Sequence, residues 1–280
     1  MDALKPALHV VLTITKWLLL AFFLAVALLP LLWLLSNSFK TNLEMQVSPF
    51  ALPKAPTLEN YVNAVAMADL PRLFLNSVVV AFSAVALNLA VCSLASFVLA
   101  REIFKRREFV FTMLTAGILV PIISFMVPYF VLVTATGLYD GLLALVLVYA
   151  AINIPVSIFL ISSFMGSIPK ELEEAAIIDG CGFVQRFTKV VLPLSRSGLV
   201  TAGTFCFIYA WNEFVMAMLL TSSVSSRTIQ LGIRFFTSQF VTDYTGMFAA
   251  IVLSIVPSVA VYAFLHDKII SGLTAGAVKG

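Results

Sequence analysis

Ser167–Gly198 reads SIPKELEEAAIIDGCGFVQRFTKVVLPLSRSG, a polar insertion between two strongly apolar segments. It holds Lys170, Glu171, Glu173, Glu174, Asp179, Arg186, Lys189 and Arg196. Ser167 can cap a short helix with Pro169 in its first turn. Glu171, Glu173 and Glu174 then lie near the positive end of that helix. Gly180 suits a left-handed cap at its far end, and Gly182 loosens the turn further. A second short helix places Phe183, Phe187, Val190 and Val191 on one face, and Pro193 stops it. The expected unit is a compact helix–turn–helix on a membrane surface. The small neighbours Ala175 and Ala176 leave room for another protein to approach closely.

The rest of the chain agrees with a membrane setting. Of 280 residues, 61% are hydrophobic and 11% charged. Soluble domains carry about 25% charged residues, so the apolar excess must face lipid. Cys92, Cys181 and Cys206 are far apart and read as packing residues, with no disulfide or metal spacing. His9 and His266 are the only histidines and both fall near membrane edges, so neither a catalytic centre nor a metal site is expected. No G-x-x-x-x-G-K-[ST] phosphate loop occurs, so the chain itself is not expected to hydrolyse ATP.

Apolar runs divide a single all-α domain, 1–280, into six expected spans at 17–39, 73–100, 109–134, 142–164, 199–220 and 246–265. Trp17 and Trp33 suit interfacial anchors, and Pro30 lies in the first span. Ala55–Tyr61 should open a short amphipathic helix running through Val65. Pro121, Pro128, Pro155 and Pro257 lie inside spans and imply kinks of the bundle. The segment 221–245 is polar, with amphipathic character around 229–240, and 266–280 reads as a tail.

Six spans place both termini on one side. The termini, residues 101–108 and residues 167–198 carry twelve Lys and Arg, while the other face has Lys40, Lys54, Arg72, Arg227 and Arg234. That bias makes the termini and the 167–198 hairpin cytoplasmic. The basic residues Arg101 to Arg107 are read as part of this topology signal, not as a nucleic-acid or lipid-binding patch.

Glu174-Ala175-Ala176, then Gly180, then Leu192-Pro193 resembles the EAA loop of the membrane subunits of bacterial ABC importers. Val190 stands where that family usually has Ile, Cys181 where a small Ala is common, and Ser197 where Pro often follows. Asn60-Tyr61, Asn76-Ser77, Ala100-Arg101, Tyr209-Ala210-Trp211-Asn212-Glu213 and the ending 272–280 look like the carbohydrate-uptake branch, the shorter permease of the maltose-type pair. The likeness covers most of 57–280.

The resemblance implies a type I ABC importer fold and a polytopic inner-membrane permease. It implies a heterodimer with a second permease, two ATPase subunits that bind ATP and magnesium, and an extracytoplasmic solute-binding protein. Lipid surrounds such an assembly, and no nucleic acid takes part. Lys170, Glu171, Leu172, Glu174, Ala175, Ala176, Asp179 and Gly180 would form the coupling contact with the ATPase. Ala275–Gly280 could reach the same partner.

Tyr209, Asn212 and Glu213 are candidates for the substrate pathway. An ionisable group at membrane depth faces a cavity or a partner, or orders the bundle by an interhelical hydrogen bond. Asn88, Ser124 and Asn153 read as packing groups. The implied cargo is a sugar or oligosaccharide. Alternatives are another organic solute, such as a glycerophosphodiester, and an ion-driven secondary transporter using Glu213, although the two halves show no repeat of the kind such transporters carry.

Overall fold

The computed structural model describes residues 4–67, 69–101, 104–236 and 243–277, and the described residues contain helices and no strand. The chain divides into two compact units, one of residues 1–69 and 233–253 and one of residues 70–232 and 254–280.

In the first unit, α1 (Leu4–Ser38) begins before Trp17 because Val10, Val11 and Leu12 continue the apolar run, and it passes through Pro30. Helix α2 (Asn42–Val47) is capped by Thr41, whose hydroxyl accepts the Glu44 N–H at 3.2 Å. Helix α3 (Glu59–Met67) follows the Pro-rich loop. Asn60 ties the loop down by donating to the carbonyls of Ser38 and Lys40, each at 2.7 Å. Lys40 is buried, and its ammonium donates to the Ser48 carbonyl at 3.0 Å. Asn42 donates to Asp243 at 2.7 Å and accepts from Thr245 N–H at 3.2 Å, which ties the start of the last helix to the same loop.

In the second unit α4 (Leu70–Arg101) is the central post. Helices α5 (Arg107–Thr115), α6 (Met126–Ala135), α7 (Leu142–Ile152) and α8 (Ile154–Ser167) follow, with α4 packed along α7 and α8. Three expected spans are bent. Residues 109–134 form two pieces meeting at 101°, because Val120 is extended ahead of Pro121. Pro128 sits in the first turn of α6, where its missing N–H costs nothing. The fourth span bends by 49° at Asn153, which donates to the Tyr149 carbonyl at 2.8 Å beside the bond that Pro155 cannot make.

Beyond α8 come α9 (Glu171–Ile178) and α10 (Phe183–Leu194) of the hairpin. Helix α10 meets α11 (Arg196–Asn212) at 75°. Residues 199–220 are not one helix: α11 ends at Asn212, Glu213 is extended, and α12 (Val215–Leu220) starts afresh. The last helix, α13 (Tyr244–Ala277), runs on through most of the expected tail. Of the segment 275–280, residues 278–280 lie outside the described residues, as do 237–242 of the polar segment. Among the described residues, three helices are long and apolar enough to cross a membrane, or up to six spans if each bent pair counts as one.

The core at the hairpin end joins Cys92, Phe97, Ile158, Ile161, Met165, Phe187, Val191 and Ala202. Cys92 and Cys206 are buried free thiols, and Cys92 Sγ lies 4.0 Å from the Ile154 carbonyl oxygen. At the opposite end of α4, Asn76 donates to the carbonyls of Ser225 and Arg227 at 2.9 Å, and Ser77 accepts the Ile229 N–H at 2.8 Å. Asp140 pins the same loop: its Oδ1 accepts the N–H groups of Ser222 at 2.8 Å and Ser223 at 3.0 Å. The Ser222 N–H, with its neighbour, holds the Asp140 carboxyl below its usual pKa.

Two expectations follow. A Cβ on Gly198 would lie 2.5 Å from Phe164 Cγ, where α11 leaves the hairpin beside α8. Gly198→Ala should lower unfolding stability by about 1–3 kcal/mol in a detergent melt, unless Phe164 can swing aside. Asp140 binds its proton more weakly folded than unfolded, so its contribution is complete above the ordinary carboxylate pKa of about 4 and disappears as pH falls through the depressed value. The melting difference between the parent and Asp140→Ala should therefore shrink on acidification from pH 7 towards pH 3. A difference independent of pH would refute this.

Candidate functional site

The hairpin is built by local chemistry that differs from the sequence expectation at two points. Ser167 does not cap α9: it ends α8, donating its hydroxyl to the Phe164 carbonyl at 2.8 Å. Ile168 is extended before Pro169, and Lys170 becomes the cap position without a side-chain bond. The start of α9 therefore leans on Glu171, Glu173 and Glu174 in its first turn. Nor does Pro193 stop α10. Residues Arg186–Val191 widen into a π-turn, which moves the backbone away from the proline ring, and the helix ends two residues later at Ser195.

Gly180 behaves as its residue type demands. Its φ is +81°, and the N–H groups of Gly180 and Cys181 return to the carbonyls of Ile177 and Ala176, each at 2.9 Å. This is a Schellman cap, which satisfies the last carbonyls of α9 and turns the chain back sharply. The Gln185 side chain then accepts the Gly182 N–H at 3.1 Å to open α10.

The hairpin has an inner and an outer face. Inward, Glu173 and Ala176 of α9 and Phe187 and Val191 of α10 are buried. Phe97 of α4 sits between Phe183 and Phe187, with ring centroids 5.1 and 5.2 Å away. Four residues along α4, Arg101 Nε lies 2.8 Å from Glu173 Oε1, with the two side chains 3% and 7% exposed. The Nε–H is not aligned for a hydrogen bond, so charge holds this pair. Arg186 Nη1 approaches the other carboxylate oxygen at 3.5 Å, with its guanidinium 5.7 Å from the centre of the Phe183 ring.

Outward, Lys170, Glu171, Leu172, Glu174, Ala175, Asp179 and Gly180 are exposed together. Ala176 is not among them; it packs inward one turn from Glu173, so the close approach expected at the Ala pair rests on Ala175 alone. Ile178, 87% exposed, and Val184, 68% exposed, add exposed apolar side chains that were not expected. Sequence reading also missed the inner charges. Arg101 passed for a topology residue, and Glu173 for one more acid in a first turn. The available signal was spacing: Glu173 and Ala176 are three apart and must share a face.

Within the spans, Tyr209, Asn212 and Glu213 do not form one cluster. Glu213 Oε1 accepts Met216 N–H at 2.7 Å, while Oε2 accepts Ala217 N–H at 3.0 Å and the Tyr149 hydroxyl at 2.7 Å. The carboxylate thus caps α12 and ties it to α7. Tyr209 stands edge-on to Tyr149 at 5.9 Å. Asn212 is exposed and turns to the Ile208 carbonyl at 2.8 Å. Trp211 is buried against Phe207 and donates to the Ser254 carbonyl at 2.9 Å. Asn88 donates to the Ala150 carbonyl at 2.9 Å, a packing bond. Ser124 is exposed.

Comparison with known proteins places this geometry. The family model described as "Binding-protein-dependent transport system inner membrane component" matches residues 92–274. A putative ABC transporter permease protein of Caldicellulosiruptor is 38% identical over 95% of this chain and 97% of its own length. The sulfoquinovosyl glycerol transport system permease protein SmoH of Agrobacterium fabrum is 37% identical over 90% of this chain and 89% of its own. A diacetylchitobiose uptake system permease protein of Streptomyces coelicolor is 34% identical over 93% and 87%. A bacterial ABC transporter involved in alginate import shares the fold, with a TM-score of 0.81 at 22% identity, covering 92% of this chain and 96% of that one.

Because Glu213 is saturated with donors, removing it should act on stability. Glu213→Ala should lower stability by about 1–3 kcal/mol, and Tyr149→Phe by about 0.5–1.5 kcal/mol, read as detergent melting temperatures. Equal melting of Glu213→Ala and the parent would contradict the capping role.

Proposed function

The chain belongs to the family of binding-protein-dependent transport system inner membrane components, and on that premise we propose that it forms half of the pathway of an ATP-driven importer for a sugar or oligosaccharide. The observation that carries the reading is the two-faced hairpin. Its inner face is locked to α4 by Glu173 and Phe97, while its outer face offers Leu172, Ile178 and Val184 beside Glu171, Glu174 and Asp179. Exposed apolar side chains interspersed with acids suit a cleft on another protein, and a separate ATPase that binds ATP and magnesium is that partner.

The hairpin lies on the cytoplasmic side with both termini, as the twelve-to-five distribution of basic residues supports. Closure of two ATPases then displaces α9 and α10. Because α8 and α11 lead directly into the hairpin, they tilt with it and open the path to the other side. A second permease completes the path, and an extracytoplasmic solute-binding protein delivers the cargo. The sugar class is supported by relatives named for sulfoquinovosyl glycerol and diacetylchitobiose. An ion-driven carrier is disfavoured because Glu213 is already occupied by two backbone N–H groups and a tyrosine hydroxyl. A permease for another organic solute would use the same hairpin.

Ile178→Asp tests the docking. The variant should reach the membrane at parental levels but fail to retain the ATPase on purification, with ATP-dependent uptake falling at least tenfold. Normal retention and uptake would refute docking at this face.

A further inference from the structure

The hairpin is continuous with α8 on one side and with α11 on the other, but the chain gives it no direct connection to α4. Yet α4 is the post along which α7, α8 and α11 pack. If α4 did not follow the hairpin, those helices would have to slide past a fixed neighbour in a close-packed core.

We infer that the Arg101–Glu173 ion pair is the tie that hands movement of the hairpin to α4, which makes Arg101 a positioning residue for coupled transport. This rests on the docking reading above.

The Arg101 side chain is only 3% exposed, and that alone separates it from a charge that merely sets topology. A topology-setting charge needs water at the membrane surface; Arg101 has been withdrawn from water and set against one carboxylate at 2.8 Å. Two charges closed off in this way stay together, because parting them leaves the buried Arg101 uncompensated. Apolar contact has no direction, whereas a charge pair fixes one point of α9 to one point of α4. Arg186 of α10 approaches the same carboxylate at 3.5 Å, so both arms of the hairpin share the attachment. Phe97, one turn earlier, lies between Phe183 and Phe187 and blocks rotation about that point. From there α4 runs unbroken to Asn76 and Ser77, which hold the 225–229 loop at its opposite end. A displacement at the hairpin therefore has a stiff route to the far end of the unit.

The test uses the complete transporter with its ATPase in proteoliposomes, comparing solute moved per ATP hydrolysed. Arg101→Met combined with Glu173→Leu removes both charges of the pair and keeps the volume filled. This variant should retain the ATPase and melt with the parent, yet move at least tenfold less solute per ATP. Arg101→Lys keeps the charge and should retain at least half of the parental ratio. Glu173→Gln, nearly isosteric, should lose coupling in the same way and serves if the double variant does not accumulate. A parental ratio in the uncharged variants would overturn the tie while leaving docking intact. A parental complex with no ATPase against the hairpin would overturn docking, and the tie with it.

Discussion

A carboxylate shut away from water needs a cation or hydrogen-bond donors, and Glu173 meets Arg101. That requirement sets the rotation of α9 about its own axis. With Glu173 turned inward, Ala176 one turn later is also inward, and Leu172, Ala175 and Asp179 are carried outward. The outer face of the hairpin is thus a consequence of what its inner face must bury. The three aromatic rings of Phe97, Phe183 and Phe187 fill the space beside the pair and bury the apolar half of the same contact.

The same rule governs the helix breaks inside the spans. A backbone group freed in an apolar layer has to be answered from within the protein. Glu213 is the clearest case: the chain leaves helical geometry there, and the two oxygens of its side chain take the first N–H groups of the next helix. Its third donor, Tyr149, comes from α7 and turns a local cap into a link between helices. Asn153 serves the fourth span in a smaller way, lending its amide to a carbonyl beside Pro155. Polar residues at membrane depth are here parts of the scaffold.

The ends of α4 use different means for the same purpose. At the hairpin it is held by one ion pair and two tilted ring contacts. At the opposite end it is held by neutral hydrogen bonds from Asn76 and Ser77 to a loop that Asp140 also grips through two backbone N–H groups. A single charged contact at one end and a distributed polar net at the other leave the long helix able to act as one stiff body.

The membrane class, the positions of most helix ends, and the turn at Gly180 were legible in the sequence. Each depends on neighbours close along the chain: a run of apolar residues, a proline, or a glycine that alone tolerates a φ of +81°. A break at Pro121 was legible too, but its size of 101°, the inward turn of Ala176 and the donor set of Glu213 were not. Tyr149 is 64 residues from Glu213, and Arg101 is farther still from Glu173, so no local pattern records those pairings. Only tertiary packing decides them, because a buried charge or carboxylate takes whichever partner the folded helices bring within reach, and that partner is chosen by space and not by order along the chain.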